Sequence, residues 1–274
     1  MTPRDNEALA LAECRARTCV VASTPVMVTL ETSSICNLRC VMCPHSIGAV
    51  ERPKHLEEAL AETVGRFLGQ AKSVQLHGIG EPLASPAFWS VLERLPEGCD
   101  ASINTNLTLL DDRRLSRLVA SNIGLINVSV DAATAETYRK IRGHAFEELT
   151  RNVERLIAAR ADAGKPRPLV YLNMTLMRAN IEEAPAFVEL AAGLGADAVC
   201  FWHLNRWPDQ EMARYRTEKG GWVFDYAAEG LWSHPALSNR CLREAVEEGR
   251  RLGLPVHLDH NKGVFFDEEG SGHD

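Results

Sequence analysis

The sequence predicts an α/β fold with parallel strands, and three observations carry that prediction. Six short apolar, β-rich runs recur along the chain and alternate with segments whose apolar residues repeat at helical spacing. Such alternation implies parallel pairing through right-handed crossovers. Polar and glycine-containing stretches fall directly after the apolar runs, where an α/β fold collects its chemistry. A doubly wound sheet and a barrel both satisfy this pattern.

The elements follow in order. An Ala-rich opening reads as a helix, and Val26–Thr32 alternates as a first strand. A cysteine-bearing loop comes next. His55–Gly69 reads as a helix, Ser73–Ile79 as a second strand, and Pro86–Leu95 as a helix with proline at its start. Ala101–Thr105 is a third strand. Asp111 suits the N-cap of a helix that carries Leu115, Leu118 and Val119 on one face. Leu125–Val130 is a fourth strand, and Phe146, Leu149, Val153, Leu156 and Ile157 recur at helical spacing. Leu169–Met177 is the fifth strand. Phe187, Leu190, Ala191 and Leu194 form a further stripe that Gly195 can end. Ala198–Leu204 is the sixth strand, and Pro235–Leu252 is a closing helix.

The 274 residues have a net charge of −7, with 45% hydrophobic and 24% charged residues. This is a globular composition with enough apolar residues for a sizeable core. The acidic balance argues against a nucleic-acid partner. No apolar run has the length of a membrane span, and Asp5 and Glu7 interrupt any signal-like opening, so a cytoplasmic protein without a membrane partner is expected. The segments expected are a helical extension over residues 1–24, the α/β unit over 25–205, a substrate-side or lid segment over 206–260, and a polar tail over 261–274.

Eight cysteines stand at positions 14, 19, 36, 40, 43, 99, 200 and 241. In a reducing compartment, clustered cysteines indicate metal or redox chemistry rather than a disulfide framework. Cys36, Cys40 and Cys43 have the spacing C-x3-C-x2-C on one loop. Three thiolates on one loop suit a metal centre with one open coordination position. The alternative is a closed zinc site with His45 as fourth ligand, in a binding module without catalysis.

The triplet, with Asn37-Leu38-Arg39 inside it, resembles the signature of the radical S-adenosylmethionine (SAM) enzymes. The resemblance runs from about Met27 to Leu204. It implies a partial (β/α)6 barrel with a C-terminal helical segment, in which Cys36, Cys40 and Cys43 hold a 4Fe–4S cluster and SAM chelates the fourth iron. His77-Gly78-Ile79-Gly80-Glu81-Pro82 resembles the family's glycine-glutamate motif. It lacks the third glycine of a dinucleotide fingerprint. The resemblance implies that Gly78, Gly80 and Glu81 receive the methionyl ammonium of SAM. It also implies that Asn104 and Asn106 line the pocket and that Ser129, Asp131 and Arg142 lie at the SAM carboxylate. A guanidinium suits a carboxylate because it presents a planar pair of donors. Helix caps are the competing readings for Asp131 and Arg142. Met42 stands where the family often has an aromatic residue, and its backbone is expected at the adenine. Met177 is placed among the cofactor contacts.

The chemistry implied is reductive cleavage of SAM to a 5′-deoxyadenosyl radical, with flavodoxin or ferredoxin as electron donor. The radical would take a hydrogen atom from a small polar metabolite, sugar or peptide, leading to oxidation, epimerisation or elimination. Maturation of a peptide or protein is the second enzyme reading. The sequence lies nearest the SPASM/twitch-type branch, whose members often carry cysteine-rich C-terminal modules, yet no C-x2-C follows Cys43. Cys200 and Cys241 are the thiols expected to return a hydrogen atom to a substrate radical. His203 and Asn205 are expected at the end of the sixth strand facing the pocket, with Trp207, Trp222 and Trp232 at its mouth.

Overall fold

The computed structural model describes residues 1–97, 99–219 and 221–258. The expected polar tail over 261–274 lies outside the described residues. The chain forms two compact units. Unit one comprises Met1–Asn37, Arg52–Asn127 and Ala158–Leu169, and unit two comprises Leu38–Glu51, Val128–Ile157 and the described residues from Val170 onward.

Unit one begins with α1 (Pro3–Arg15), whose start is closed by a capping box between Thr2 and Asp5. Buried Asn6 pins this helix, accepting from Thr24 N at 2.9 Å and donating to the carbonyls of Thr24 at 3.0 Å and Gln70 at 3.1 Å. There follow β1 (Met27–Thr29), α2 (Glu58–Leu68), β2 (Ser73–Gln75), α3 (Pro86–Leu92), β3 (Asp100–Thr105), α4 (Asp112–Ala120) and β4 (Leu125–Ser129). Asp111 caps α4 as expected, its Oδ1 accepting from Arg114 N at 2.7 Å. β1, β2 and β3 are parallel, with Met27 opposite Ser73 and Ser73 opposite Asp100.

Unit two contains α5 (Ala135–Arg142) and most of α6 (Phe146–Asp162). β5 (Leu169–Leu176), α7 (Ala184–Gly193), β6 (Ala198–His203), α8 (Asp209–Met212), β7 (Arg216–Lys219), β8 (Trp222–Asp225), α9 (Tyr226–Glu229), α10 (Pro235–Leu252) and β9 (Val256–Leu258) complete it. β5, β6 and β9 are parallel, with Asn173 opposite Cys200 and Cys200 opposite His257. β7 and β8 form an antiparallel hairpin.

The strand order is sequential: β1-β2-β3-β4 in unit one and β4-β5-β6-β9 in unit two. No strand reversal of the doubly wound kind occurs, which removes that alternative. The result is a mostly parallel central sheet with flanking helices. The sixth strand is followed by one more in the same sheet: β9 has three residues behind Pro255, too few to show a period. The second strand is shorter than expected. Past Leu76 the chain leaves the ladder, and the N–H of Ile79 turns to Glu31 Oε1 at 2.6 Å.

Each parallel strand has one apolar and one polar side. In β5, Val170, Leu172, Met174 and Leu176 are buried, and in β6 Phe201 packs on Phe187 of α7. The register places Tyr171, Asn173, Thr175, Cys200, Trp202 and His257 together on the other side. In unit one, Val74, Ala101 and Ile103 are buried, while Thr29, Gln75, Ser102 and Asn104 share the opposite side. Parallel strands covered on both faces are normally apolar throughout. Polar residues at every second position therefore mark a face left open to solvent or ligand. Among the described residues, no helix is long and apolar enough to cross a membrane.

Asn180 locks the end of β5. It accepts from Met177 N at 2.8 Å and donates to the carbonyls of Thr175 and Asp131, both at 2.9 Å, at 1% exposure. Asn180→Ala strands these groups in the interior and is expected to cost about 3 kcal/mol. A lowered urea midpoint with an unchanged slope checks this.

Candidate active site

The cysteine loop follows β1. In unit one, Cys36 lies beside Asn106, whose Nδ2 is 3.8 Å from the sulfur and 3.0 Å from Asn37 Oδ1. The side-chain Oδ1 of Asn106 accepts from Thr108 N at 3.0 Å and Thr108 Oγ1 at 2.7 Å, which fixes the amide orientation. Thr108 Oγ1 also meets Asn37 Nδ2 at 2.8 Å. Glu81 braces the same loop from beneath. Its Oε1 accepts from Leu83 N at 3.0 Å and Thr105 Oγ1 at 2.6 Å, and its Oε2 accepts from Asn106 N at 2.8 Å.

Gly80 explains how the two loops meet. Its N–H donates to the Ser33 carbonyl at 3.1 Å, and the next N–H, of Glu81, donates to the Ile35 carbonyl at 2.9 Å. A Cβ on Gly80 would overlap the Ser33 and Ile35 carbonyls. Glycine is needed here for the close approach of the protein's own cysteine loop. Gly78 is exposed, and the Glu31 carboxylate fills the space beside its Cα.

In unit two, Val41 is the anchor of the loop. It is 1% exposed and packs in a cluster with Ile141, Met177, Leu204, Met212, Phe224 and Tyr226, and its N–H donates to the Ile141 carbonyl at 3.0 Å. Cys43 N donates to the Cys40 carbonyl at 3.0 Å, closing a turn that Ser46 Oγ braces at the Cys43 carbonyl, 2.7 Å away. An apolar residue between two cysteines therefore sets where both thiols stand.

Cys40 is buried, and Arg142 Nη1 lies 3.6 Å from its sulfur. Arg142 also binds Asp131 Oδ2, through Nε at 2.7 Å and Nη2 at 2.5 Å. Asp131 stands at φ +66°, and its Oδ1 accepts from Thr175 N at 2.6 Å. It is not an N-cap; Thr134 caps α5. Arg142 is the last residue of α5, ahead of Gly143, so the helix-end reading and the ion pair both hold. Burial pushes the Cys40 thiol up, and the Arg142 charge opposes it. Burial would lower Arg142, but Asp131 and then Cys40 outweigh this and hold the guanidinium above its ordinary range.

Among the described residues no three His, Cys, Asp or Glu side chains gather into a metal-holding group, so the fit of a cluster rests on the donor set. That set suits an iron–sulfur cluster. The loop offers three thiols, and Cys36 and Cys40 each have a side-chain N–H donor at the sulfur. Hydrogen bonds to sulfur and local charge are what tune such clusters.

The remaining expected residues divide. Asn104 is exposed on the polar face, and Ser129 ends β4 half-buried. Met42 packs its side chain against the Val41 cluster. Met177 is fully buried in that cluster. Cys200 lies on the polar face opposite Asn173, and burial pushes its thiol up to about 12. Cys241 is buried on α10 in the helix layer that packs on α7, with Glu182 among its electrostatic neighbours. It is separated from the face that carries Cys200. His203 pairs with Leu176 and lies on the helix-facing side, contrary to expectation. The Asn205 carbonyl accepts from Tyr226 Oη at 2.9 Å, and that oxygen accepts from Trp207 Nε1 at 3.2 Å. Trp222 and Trp232 pack against the Val41 cluster.

Sequence reasoning missed Thr108, Val41, Asn180 and Lys219. The pattern Asn106-Leu-Thr108 carried a signal for Thr108, as a polar turn that bonds itself.

The chain is 31% identical over 189 residues to the AdoMet-dependent heme synthase of Methanosarcina barkeri, covering 65% of this chain and 50% of that protein. It is 29% identical over 175 residues to the mycofactocin maturase MftC of Mycobacterium tuberculosis, covering 63% and 43% respectively. The chain thus spans about half the length of the curated relatives it matches. Its fold is similar to that of Streptococcus suis SuiB bound to the precursor peptide SuiA, with a TM-score of 0.66 at 13% identity, over 93% of this chain and 53% of that one. The family model for the radical SAM superfamily matches residues 30–191. More than half of the chain lies within that match, and the protein belongs to the radical SAM superfamily.

Proposed function

We propose that the protein cleaves SAM reductively and removes a hydrogen atom from a peptide or a small polar substrate. Members of its family bind a 4Fe–4S cluster and SAM. When bound, these groups supply an electron and a 5′-deoxyadenosyl radical. In this reading Cys36, Cys40 and Cys43 hold the cluster. The observation that carries it is the pair of N–H donors at two of the thiols, Asn106 at Cys36 and Arg142 at Cys40.

Several residues then have defined tasks. Asn106 and Glu81 hold the Cys36 side of the loop, and Val41 holds the Cys40–Cys43 turn. Arg142, oriented by Asp131, contributes positive charge at Cys40 and a planar donor edge for the SAM carboxylate. The strand face that carries Asn173, Thr175 and Cys200 receives part of the substrate. The buried Oδ1 of Asn173 has no protein donor among the described residues, which suits a substrate N–H or O–H. Cys200 stays a protonated thiol at neutral pH, a state able to give a hydrogen atom. A peptide substrate is favoured by two similar proteins, one called a maturase and one solved with its precursor peptide. Flavodoxin or ferredoxin is the electron donor proposed.

Anaerobic reconstitution tests the reading directly. Wild type is expected to be brown and to hold about four irons, as one 4Fe–4S cluster requires. It should release 5′-deoxyadenosine from SAM under dithionite. Each of Cys36→Ala, Cys40→Ala and Cys43→Ala is expected to lose both properties. A single zinc with no iron, or full turnover by Cys40→Ala, would overturn it.

Two further outcomes separate the supporting residues. Gly80→Ala forces the Ser33 carbonyl away and is expected to lower both iron loading and thermal stability, measured by iron analysis and calorimetry. Cys200→Ser is expected to keep its cluster and its SAM cleavage in the absence of substrate. Parallel loss of iron in that variant would make Cys200 structural.

A further inference from the structure

The β7–β8 hairpin brings a second cation to the cysteine loop. Lys219, the last residue of β7, places its Nζ 3.5 Å from the Arg39 carbonyl, one residue before Cys40. The ammonium lies against Gly143, at the spot where any Cβ would stand. Gly143 has φ +74°, so glycine both ends α5 and leaves room for the lysine.

The two cations near Cys40 differ in what they offer. Arg142 is neutralised by Asp131, which it binds through two nitrogens. Among the described residues no carboxylate pairs with Lys219. The charge it brings to the loop is therefore uncompensated. The hairpin is held in place from the other side as well: Lys140 Nζ of α5 sits 4.1 Å from the ring centroid of Trp222, the residue opposite Lys219 in the hairpin. The hairpin also neighbours the turn at Pro44–Ile47, just after Cys43.

We propose that Lys219 is a positioning residue for the cluster, clamping the Arg39–Cys40 backbone and placing an uncompensated positive charge beside the Cys40 ligand that makes the cluster easier to reduce. The proposal rests on Cys40 being a cluster ligand. A thiolate-bound cluster gains negative charge on reduction, and a nearby cation favours the reduced state.

The experiment compares wild type, Lys219→Met and Lys219→Arg after anaerobic reconstitution. Iron content and the midpoint potential are read by an EPR-monitored titration without SAM. Lys219→Met is expected to shift the midpoint to lower potential at unchanged iron content, and Lys219→Arg to restore it. Loss of iron from the methionine variant alone also supports the proposal, because charge rather than bulk is then what the loop requires. An unchanged midpoint in fully loaded Lys219→Met overturns it, as does equal loss or equal shift in both variants. Failure of wild type to load iron would instead defeat the assignment of the cysteine loop, a separate result.

Discussion

Asp131 is the constraint on which the second unit depends. It follows β4 in a left-handed backbone conformation, which aspartate tolerates better than most residues. That bend ends the strand and turns the carboxylate inward. One oxygen then binds the backbone of β5, and the other binds the guanidinium that ends α5. The pair is almost fully buried, so removing either partner would strand a charge, at a cost of about 3–5 kcal/mol. A single side chain thus registers β5 and α5 and aims Arg142 at Cys40. Asn180 completes the arrangement by bonding the Asp131 carbonyl.

Unit one relies on backbone contact instead. The carbonyls of Ser33 and Ile35 accept the N–H groups of Gly80 and Glu81, and the Glu81 carboxylate then reaches Thr105 and Asn106. Glutamate is here a brace whose two oxygens meet three donors. N–H and O–H groups thus meet the carboxylate locally.

Much of this was legible in the residues. The closing helix Pro235–Leu252 has the bounds expected of it, and the six expected strands all exist, because apolar alternation and proline or glycine punctuation mark such elements strongly. Strand ends were less legible. Val130 and Met177 look like strand residues, yet the chain bends after each, where Asp131 bonds Thr175 N of β5 and Asn180 bonds the Asp131 carbonyl, long-range contacts that no local pattern encodes. β9 was missed for its brevity, and α5 was legible only at its end, as the helix-end reading of Arg142, because its mostly polar sequence carries few apolar markers. At the site, spacing revealed the three thiols. It did not reveal their partners: Lys219 lies 179 positions from Cys40 and comes near it only through the hairpin. His203 and Cys200, three positions apart, fell on opposite faces because a strand has period two.

That two-sidedness has an evolutionary consequence. The residues that knit strands to helices, such as Leu172, Met174 and Phe201, are separate from the outward-facing Asn173, Thr175 and Trp202. A change at the latter leaves the apolar interior untouched. Substitution along this one row of side chains can therefore proceed while the scaffold and the cysteine loop stay as they are. Packing and surface character are in this way inherited separately within one short stretch of chain.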